Sequence, residues 1–351
     1  MYSERDILEK ISQELPDLIP QLRVENLKTK LDRLNLDFDF TARIITETGV
    51  KKLICGEIKA SAEPRYIREA ILRLKEAIQK SAIREAYPVI CSIFLSERVR
   101  QICKEYQVGY VDLAGNYYFM FDSFYLEKVV EKNPFKEDRK LKSIFQPIST
   151  RILKVLLEKP KTIWKISDLA SEAKTSIGLS YKVVQKLQDQ EFIKRDKDKK
   201  IILTNPTELL NSWRENYSFE QNRVLSFFSL EKNISKLLSR IDALAKKNKV
   251  KYALTLLTGA NLVAPFVRST DIYFYVQEGP EIWKKGLDLK EVEFGGNVHL
   301  VIPFDQGVFY GLQEINKLKV VGNIQLYLDL YKYPARGKEQ AEFLREQKIK
   351  F

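Results

Sequence analysis

The sequence predicts a multi-domain α/β protein, and three observations carry that expectation. At 351 residues the chain is longer than one hydrophobic core usually organises, so two or three domains are expected. A hydrophobic share of 44% beside a charged share of 30% describes an ordinary water-soluble globular protein. Strand-like and helix-like stretches alternate in both end regions, while the middle reads as helices followed by one short basic hairpin.

Residues 5 to 33 read as one or two helices interrupted near Pro16 and Pro20, with apolar spacing at Ile7, Leu8, Ile11 and Leu15. Strands are expected at about 36–46 and 51–60, joined by a Glu-Thr-Gly turn at 47–49. Pro64 opens a helix to about Ser81, with Ile67, Ala70, Ile71, Leu74 and Ala77 on one side. A buried strand from Pro88 to Leu95, a helix from Ser96 to Tyr106 and a hairpin around Ala114-Gly115-Asn116 complete the first domain, residues 1–132. Asp112 and Asn116 read first as turn residues that bond local backbone N–H groups.

Within this domain the alternation of Leu36-Asp37-Phe38-Asp39-Phe40 puts Asp37 and Asp39 on one strand face. Cys55-Gly56-Glu57-Ile58-Lys59-Ala60 does the same for Glu57 and Lys59, leaving Ile54 and Ile58 for a core. Adjacent strands of this kind bring Asp39, Glu57 and Lys59 together. Two carboxylates suit a hard cation such as Mg²⁺, and a lysine beside them suits the activation of water against a phosphate. The bland alternative is a surface ion-pair cluster. The pattern resembles the PD-(D/E)xK nuclease superfamily, the restriction-endonuclease-like fold. That resemblance implies Asp39 and Glu57 as Mg²⁺ ligands, Lys59 as the water-orienting residue, and a further acid from the first helix, for which Glu14 is the candidate.

Glu131 to Gln146 is charged, carries Pro134, and reads as a linker or connecting helix. Helices follow at Arg151–Leu157 and Ile166–Ala173, and Ser176 can cap a third through Gln188. Phe192 to Leu203 makes two strands around the turn Lys194-Arg195-Asp196-Lys197-Asp198-Lys199-Lys200. Three helices and a basic hairpin make a winged helix-turn-helix over residues 133–215. This span holds 18 Lys and Arg against 11 Asp and Glu, an excess of seven out of the chain's net +12. So concentrated a positive charge points to double-stranded DNA. In that setting Ser176, Ser180, Tyr181 and Lys182 face the major groove, and Lys194, Arg195, Lys197, Lys199 and Lys200 grip phosphates. Otherwise these residues are a polar helix face and a solvated turn.

The third domain, 216–351, is read as helices at Phe219–Phe228 and Glu231–Lys246, then strands at Tyr252–Leu257, Asp271–Val276, Val298–Pro303 and Leu318–Val321. Further helices are expected at Ile282–Leu287, Asn323–Leu330 and Arg336–Gln347. Thr258-Gly259 and Arg268-Ser269-Thr270-Asp271-Ile272-Tyr273 are similar to the opening of minimal nucleotidyltransferases. Tyr273 replaces the second acid, which implies a degenerate domain that has lost two-metal transfer. The sole histidine, His299, lies in an apolar strand and reads as structural. The whole chain also resembles type IV toxin–antitoxin AbiEi-family antitoxins or transcriptional regulators. The residues that carry this are Val108-Gly109-Tyr110-Val111-Asp112-Leu113-Ala114-Gly115-Asn116, the winged helix, Gly307-Val308-Phe309-Tyr310-Gly311, Gln325-Leu326-Tyr327-Leu328-Asp329-Leu330 and Ala335-Arg336-Gly337. The family implies a DNA-binding regulator of bacterial stress or phage defence and a cognate toxin as partner; here the winged helix is central, whereas better-known members carry it at the N-terminus.

With a single histidine the chain can hardly build a histidine-based metal site, and histidine-dependent triads are poor candidates. Three cysteines, Cys55, Cys91 and Cys103, sit in apolar contexts and suit a reducing cytoplasm rather than a disulfide framework. Met1 to Leu8 is polar and charged, unlike a secretory signal. The uncharged run Tyr252–Val267 is too short and polar to span a bilayer. The expectation is therefore a cytoplasmic double-stranded DNA-binding regulator, acting as a homodimer on a palindrome. The competing expectation is a Mg²⁺-dependent endonuclease that the winged helix targets.

Overall fold

A computed structural model describes residues 2–30, 38–81, 83, 86–130, 134–135, 144–277 and 279–351. The expected strand residues Leu36 and Asp37, and most of the expected linker 131–146, lie outside the described residues. The chain forms two compact units, Met1–Asp138 with Asp189–Glu191, and Arg139–Gln188 with Phe192–Phe351. Among the described residues no helix is long and apolar enough to cross a membrane.

The first unit begins with α1 (Glu4–Leu18), which a Ser3–Asp6 capping box starts and whose Ile7, Leu8, Ile11 and Leu15 are buried. Pro16 does not interrupt it, because the helix has only its last turn left to make there. The expected second helix is instead a strand, β1 (Leu22–Thr29). Asn26 takes a left-handed φ of 51° at a bulge in this strand, which shifts the phase of the alternation and hides it from the sequence. Then come β2 (Phe40–Thr46), β3 (Lys51–Ile58), α2 (Pro64–Lys80), β4 (Tyr87–Ser92), α3 (Glu97–Glu105), β5 (Gly109–Asp112), β6 (Tyr117–Phe121) and β7 (Phe124–Lys128).

The seven strands lie side by side in chain order. β3, β4 and β5 run parallel, joined by α2 and α3, and every other neighbour pair is antiparallel. The buried residues of α1 pack with Phe40, Ile44, Ile54, Ile58 and Val89 in one core. Those of α2 and α3 pack with Cys55, Ile90 and Tyr110 in another, which gives helix, sheet and helix layers. Gly56 is required where it stands: a Cβ there would lie 1.9 Å from the Phe40 ring. Asp112 is fully buried and accepts N–H bonds from Leu95, Ala114 and Asn116 as well as from the Asn116 side chain. Asp112 thus does the turn chemistry expected of it, whereas the Asn116 oxygen accepts the N–H of Val130, well beyond the turn, at 2.6 Å.

The second unit begins with α4 (Pro147–Glu158), α5 (Ile166–Glu172), α6 (Ile177–Asp189), and the antiparallel pair β8 (Ile193–Arg195) and β9 (Ile201–Leu203). The order matches the expectation for this stretch. Next are α7 (Pro206–Asn216), β10 (Arg223–Phe228), α8 (Ile234–Asn248), β11 (Tyr252–Leu254), α9 (Leu256–Val263), β12 (Ile272–Val276) and α10 (Glu281–Gly286). β13 (Lys290–Glu291), β14 (Val298–Ile302), β15 (Gln313–Ile315), β16 (Leu318–Val320), α11 (Asn323–Tyr331) and α12 (Gly337–Leu344) follow. The sheet order is β13-β10-β14-β12-β11-β16-β15, with β12 parallel to β14 and β11 parallel to β16. A helix was expected over 219–228, and β10 occupies most of that span, held by β14 more than seventy residues away in sequence. One core joins the residues of α4 and α6 to those of the sheet and of α11. His299 is structural as expected, its ring stacked 4.1 Å from that of Tyr273 and its Nδ1 paired with Ser226 Oγ at 2.9 Å.

Candidate nucleic-acid interface

α6 begins at Ser176, whose hydroxyl accepts the Leu179 N–H at 3.2 Å and so satisfies a donor of the first turn. The apolar residues Val183, Val184 and Leu187 face the core. Ser176, Ile177, Gly178, Tyr181 and Lys182 face outward. Ser180 does not join them. It is fully buried, and its hydroxyl pairs with that of Thr175 at 2.7 Å, so the expected contact from Ser180 is corrected to a packing role.

The turn between β8 and β9 is built on Asp196, whose Oδ1 accepts the N–H groups of Asp198 and Lys200 at 2.9 Å each. Lys199 takes a left-handed φ of 60° within it. Lys194, Lys197 and Lys199 are exposed, while Lys200 leans on Asp198 at 3.3 Å. Arg195 turns toward α6, its guanidinium 5.3 Å from the centre of the Tyr181 ring. The hairpin and the outward face of α6 are thus joined at one contact.

Residues far along the chain fix α4. Arg151 makes a two-bond fork with Asp305, Nε to Oδ1 at 2.8 Å and Nη2 to Oδ2 at 2.7 Å. Lys154 is 3% exposed; its ammonium donates to the Gly307 carbonyl at 2.9 Å and to Gln325 Oε1. Burial lowers its pKa to about 8, against the raising pull of Asp329, Glu158 and Asp305. Glu158 accepts the Ile324 N–H at the start of α11, and burial lifts its pKa to about 7. Gly322 leaves room for that carboxylate, since a Cβ there would lie 2.3 Å from Glu158 Oε1.

Behind these residues Asp329 is fully buried and accepts from Tyr217 at 2.5 Å, Tyr275 at 3.1 Å, Gln325 at 2.7 Å, and Thr255. Burial raises its pKa despite those donors. Local spacing assigns no site role to Lys154 or Asp329, which only the fold brings into one network. The available signal was a charged residue inside each of two apolar runs, Ile152–Leu157 and Leu326–Leu330.

In the first unit Glu57 and Lys59 pair directly, and Asp39 is anchored to the strand between them through the Ile58 N–H. Asp39 lies in a bend before β2, so Phe38 and Phe40 enter different cores and the alternation expected over 36–40 is not kept. Its N–H bonds the Gly56 carbonyl at 3.0 Å, and its Oδ2 accepts the Ile58 N–H at 2.7 Å. Glu57 pairs with Lys59 at 2.7 Å. Two residues join that the sequence did not single out: Lys30, 2.9 Å from Asp39 Oδ1, and Glu4, 3.6 Å from the Lys59 ammonium. The acid that α1 supplies to Lys59 is therefore Glu4; Glu14 is exposed on the same helix. Asp39 has Oδ1 on Lys30 and Oδ2 on the Ile58 N–H, so a hard divalent ion held by Asp39 and Glu57 would compete with Lys30 for the Asp39 carboxylate. Among the described residues no three His, Cys, Asp or Glu side chains converge on a metal position.

Residues 202–350 match the model of a family described as a transcriptional regulator, the AbiEi antitoxin of type IV toxin–antitoxin systems. The resemblance read from Gly307–Gly311 and Gln325–Leu330 falls inside that match. No curated protein matches the chain. A solved structure titled "Structure of EndoMS in apo form" aligns with 32% of this chain and 47% of its own, about half of its length. The identity is 13% and the TM-score 0.23, a score at which the superposition carries no argument.

Proposed function

We propose that this chain is a double-stranded DNA-binding regulator of a bacterial toxin–antitoxin or phage-defence system, and that residues 147–203 bind the DNA as a winged helix. The family match over 202–350 supports the regulatory role. The observation that carries the DNA reading is the joined surface of α6 and the hairpin. Tyr181 and Lys182 stand on the helix, Lys194, Lys197 and Lys199 on the hairpin, and the Arg195–Tyr181 contact ties the two. α6 enters the major groove and the hairpin lysines lie along the backbone. One such unit reads a few base pairs, so the working form is a homodimer on a two-fold site.

Titrating duplex DNA at several salt concentrations tests this. Lys199→Ala is expected to weaken binding to every sequence and to lower the salt slope by about one. Tyr181→Ala is expected to lose preference among sequences while keeping the slope. Wild-type affinity and slope in both variants would remove the DNA role from this surface.

A second reading rests on the Asp39, Glu57 and Lys59 cluster: an endonuclease in which the two carboxylates hold Mg²⁺ and Lys59 orients the attacking water. The bound ion would stabilise charge on the phosphate. Wild-type cutting of supercoiled plasmid with Mg²⁺ or Mn²⁺, lost in both Glu57→Ala and Lys59→Ala, is the result this reading expects. Intact plasmid throughout, with DNA still bound, leaves the first unit as a scaffold.

A further inference from the structure

We propose that α6 recognises the 5-methyl group of thymine, through an apolar strip formed by Ile177 and Tyr181. This deepens the DNA-binding reading above and rests on it. Of the four side chains expected to face the groove, the two serines are engaged by the fold, the Ser176 hydroxyl capping α6 and Ser180 buried against Thr175, while Tyr181 and Lys182 stay exposed. The strip left at the front is apolar and aromatic. Ile177 is 59% exposed and Tyr181 53% exposed, and their i, i+4 spacing lines them up on one helix face.

Gly178 stands beside Ile177 on that face. A Cβ there would meet nothing within 4 Å, so no packing within the protein calls for glycine. Its presence leaves the front of the first turn low, where another molecule can approach the backbone. Arg195 holds the Tyr181 ring from the hairpin side. Lys182 on the helix and Lys197 and Lys199 on the hairpin that Arg195 ties to it are exposed, a positive charge that selects a polyanion over an apolar protein surface as the occupant. In the major groove the apolar group that a base pair offers is the thymine methyl, and an aliphatic side chain is its usual contact.

The test begins with sites selected by the full-length protein from a random duplex pool. Each thymine in them is then replaced in turn by deoxyuridine, which keeps the hydrogen-bonding edge and lacks the methyl. At one or two positions uracil is expected to weaken binding about three- to tenfold, the worth of one buried methyl group or slightly more. Ile177→Ala, a change at an exposed side chain, is expected to bind thymine and uracil equally there. Gly178→Ala is expected to weaken binding to the thymine duplex while leaving the fold intact. Equal binding of thymine and uracil at every position by wild type overturns the methyl contact and leaves the DNA reading standing. Failure to select any duplex overturns the DNA reading itself. A changed oligomeric state in Ile177→Ala, without any uracil effect, assigns the strip to self-association and overturns the proposal.

Discussion

Asp329→Ala is expected to lower the unfolding free energy of the second unit by about 3–5 kcal/mol, the cost of stranding several buried hydrogen-bond donors. The carboxylate accepts from Tyr217, Tyr275, Thr255 and Gln325, and all of these groups lie inside the protein. Alanine would strand four donors at once, each costing about 1–3 kcal/mol if no water enters. It would also take from the buried Lys154 ammonium the largest of the carboxylate pulls on it, leaving those of Glu158 and Asp305. Asp329→Asn keeps the volume and one acceptor oxygen, and is expected to fall between wild type and alanine. The three tryptophans of the chain, Trp164, Trp213 and Trp283, all lie in the second unit and are buried. Tryptophan emission during urea unfolding therefore reports this unit alone. A midpoint within error of wild type would mean that the network stores no stability and that Asp329 is replaceable.

Partners that lie far apart in the chain limit what local sequence discloses. Elements with one strong local signal were legible: α2 from its apolar stripe behind Pro64, α6 from Ser176, and the β8–β9 turn from Asp196 and its lysines. Elements held by distant partners were not. β10 carries Val224, Phe227 and Phe228, a spacing that suits a helix face, and only its pairing with β14 settles it as a strand. β1 lost its alternation to the bulge at Asn26. The site residues divide in the same way. Glu57 and Lys59 share one strand and were readable from spacing, whereas Lys30 and Glu4 reach them only through the fold. Ser180 looked outward by its neighbours and is turned inward by Thr175.

Arg151, Lys154 and Glu158 place one consequence of that fold on α4. Their partners, Asp305, Gly307, Gln325 and Ile324, all lie within the stretch that matches the regulator family. Two of these partners, Gly307 and Gln325, belong to the short motifs that carry the family resemblance. The helices and hairpin at 147–203 are therefore seated on the matched region by hydrogen bonds and charge as well as by a shared core. A substitution there can change how α6 is presented without touching α6.

Glu158→Gln is expected to make the protein more stable than wild type at neutral and alkaline pH, and indistinguishable from it near pH 4.5. Burial raises the folded-state pKa of Glu158 from 4.5 to about 7. A raised carboxyl favours the folded state while it stays protonated, so this contribution is full below pH 4.5. It is lost as pH rises through about 7, because the folded state must then hold a buried carboxylate. The difference between the two pKa values corresponds to a loss on the order of 3 kcal/mol. Glutamine cannot ionise, and its side-chain oxygen still accepts the Ile324 N–H, so the variant escapes the loss. Lys154 limits the gain, since it attracts the Glu158 carboxylate and loses that neighbour in the variant. Its own lowered pKa of about 8 works in the opposite sense, with stability lost as pH falls from 10.5 through about 8. Urea unfolding read by tryptophan at pH 5, 6, 7 and 8 separates the two. The gap between variant and wild type should open between pH 5 and 7 and then level off. Parallel curves across that range would show that Glu158 titrates as an exposed carboxylate, and that water already reaches the seat of α4 on α11.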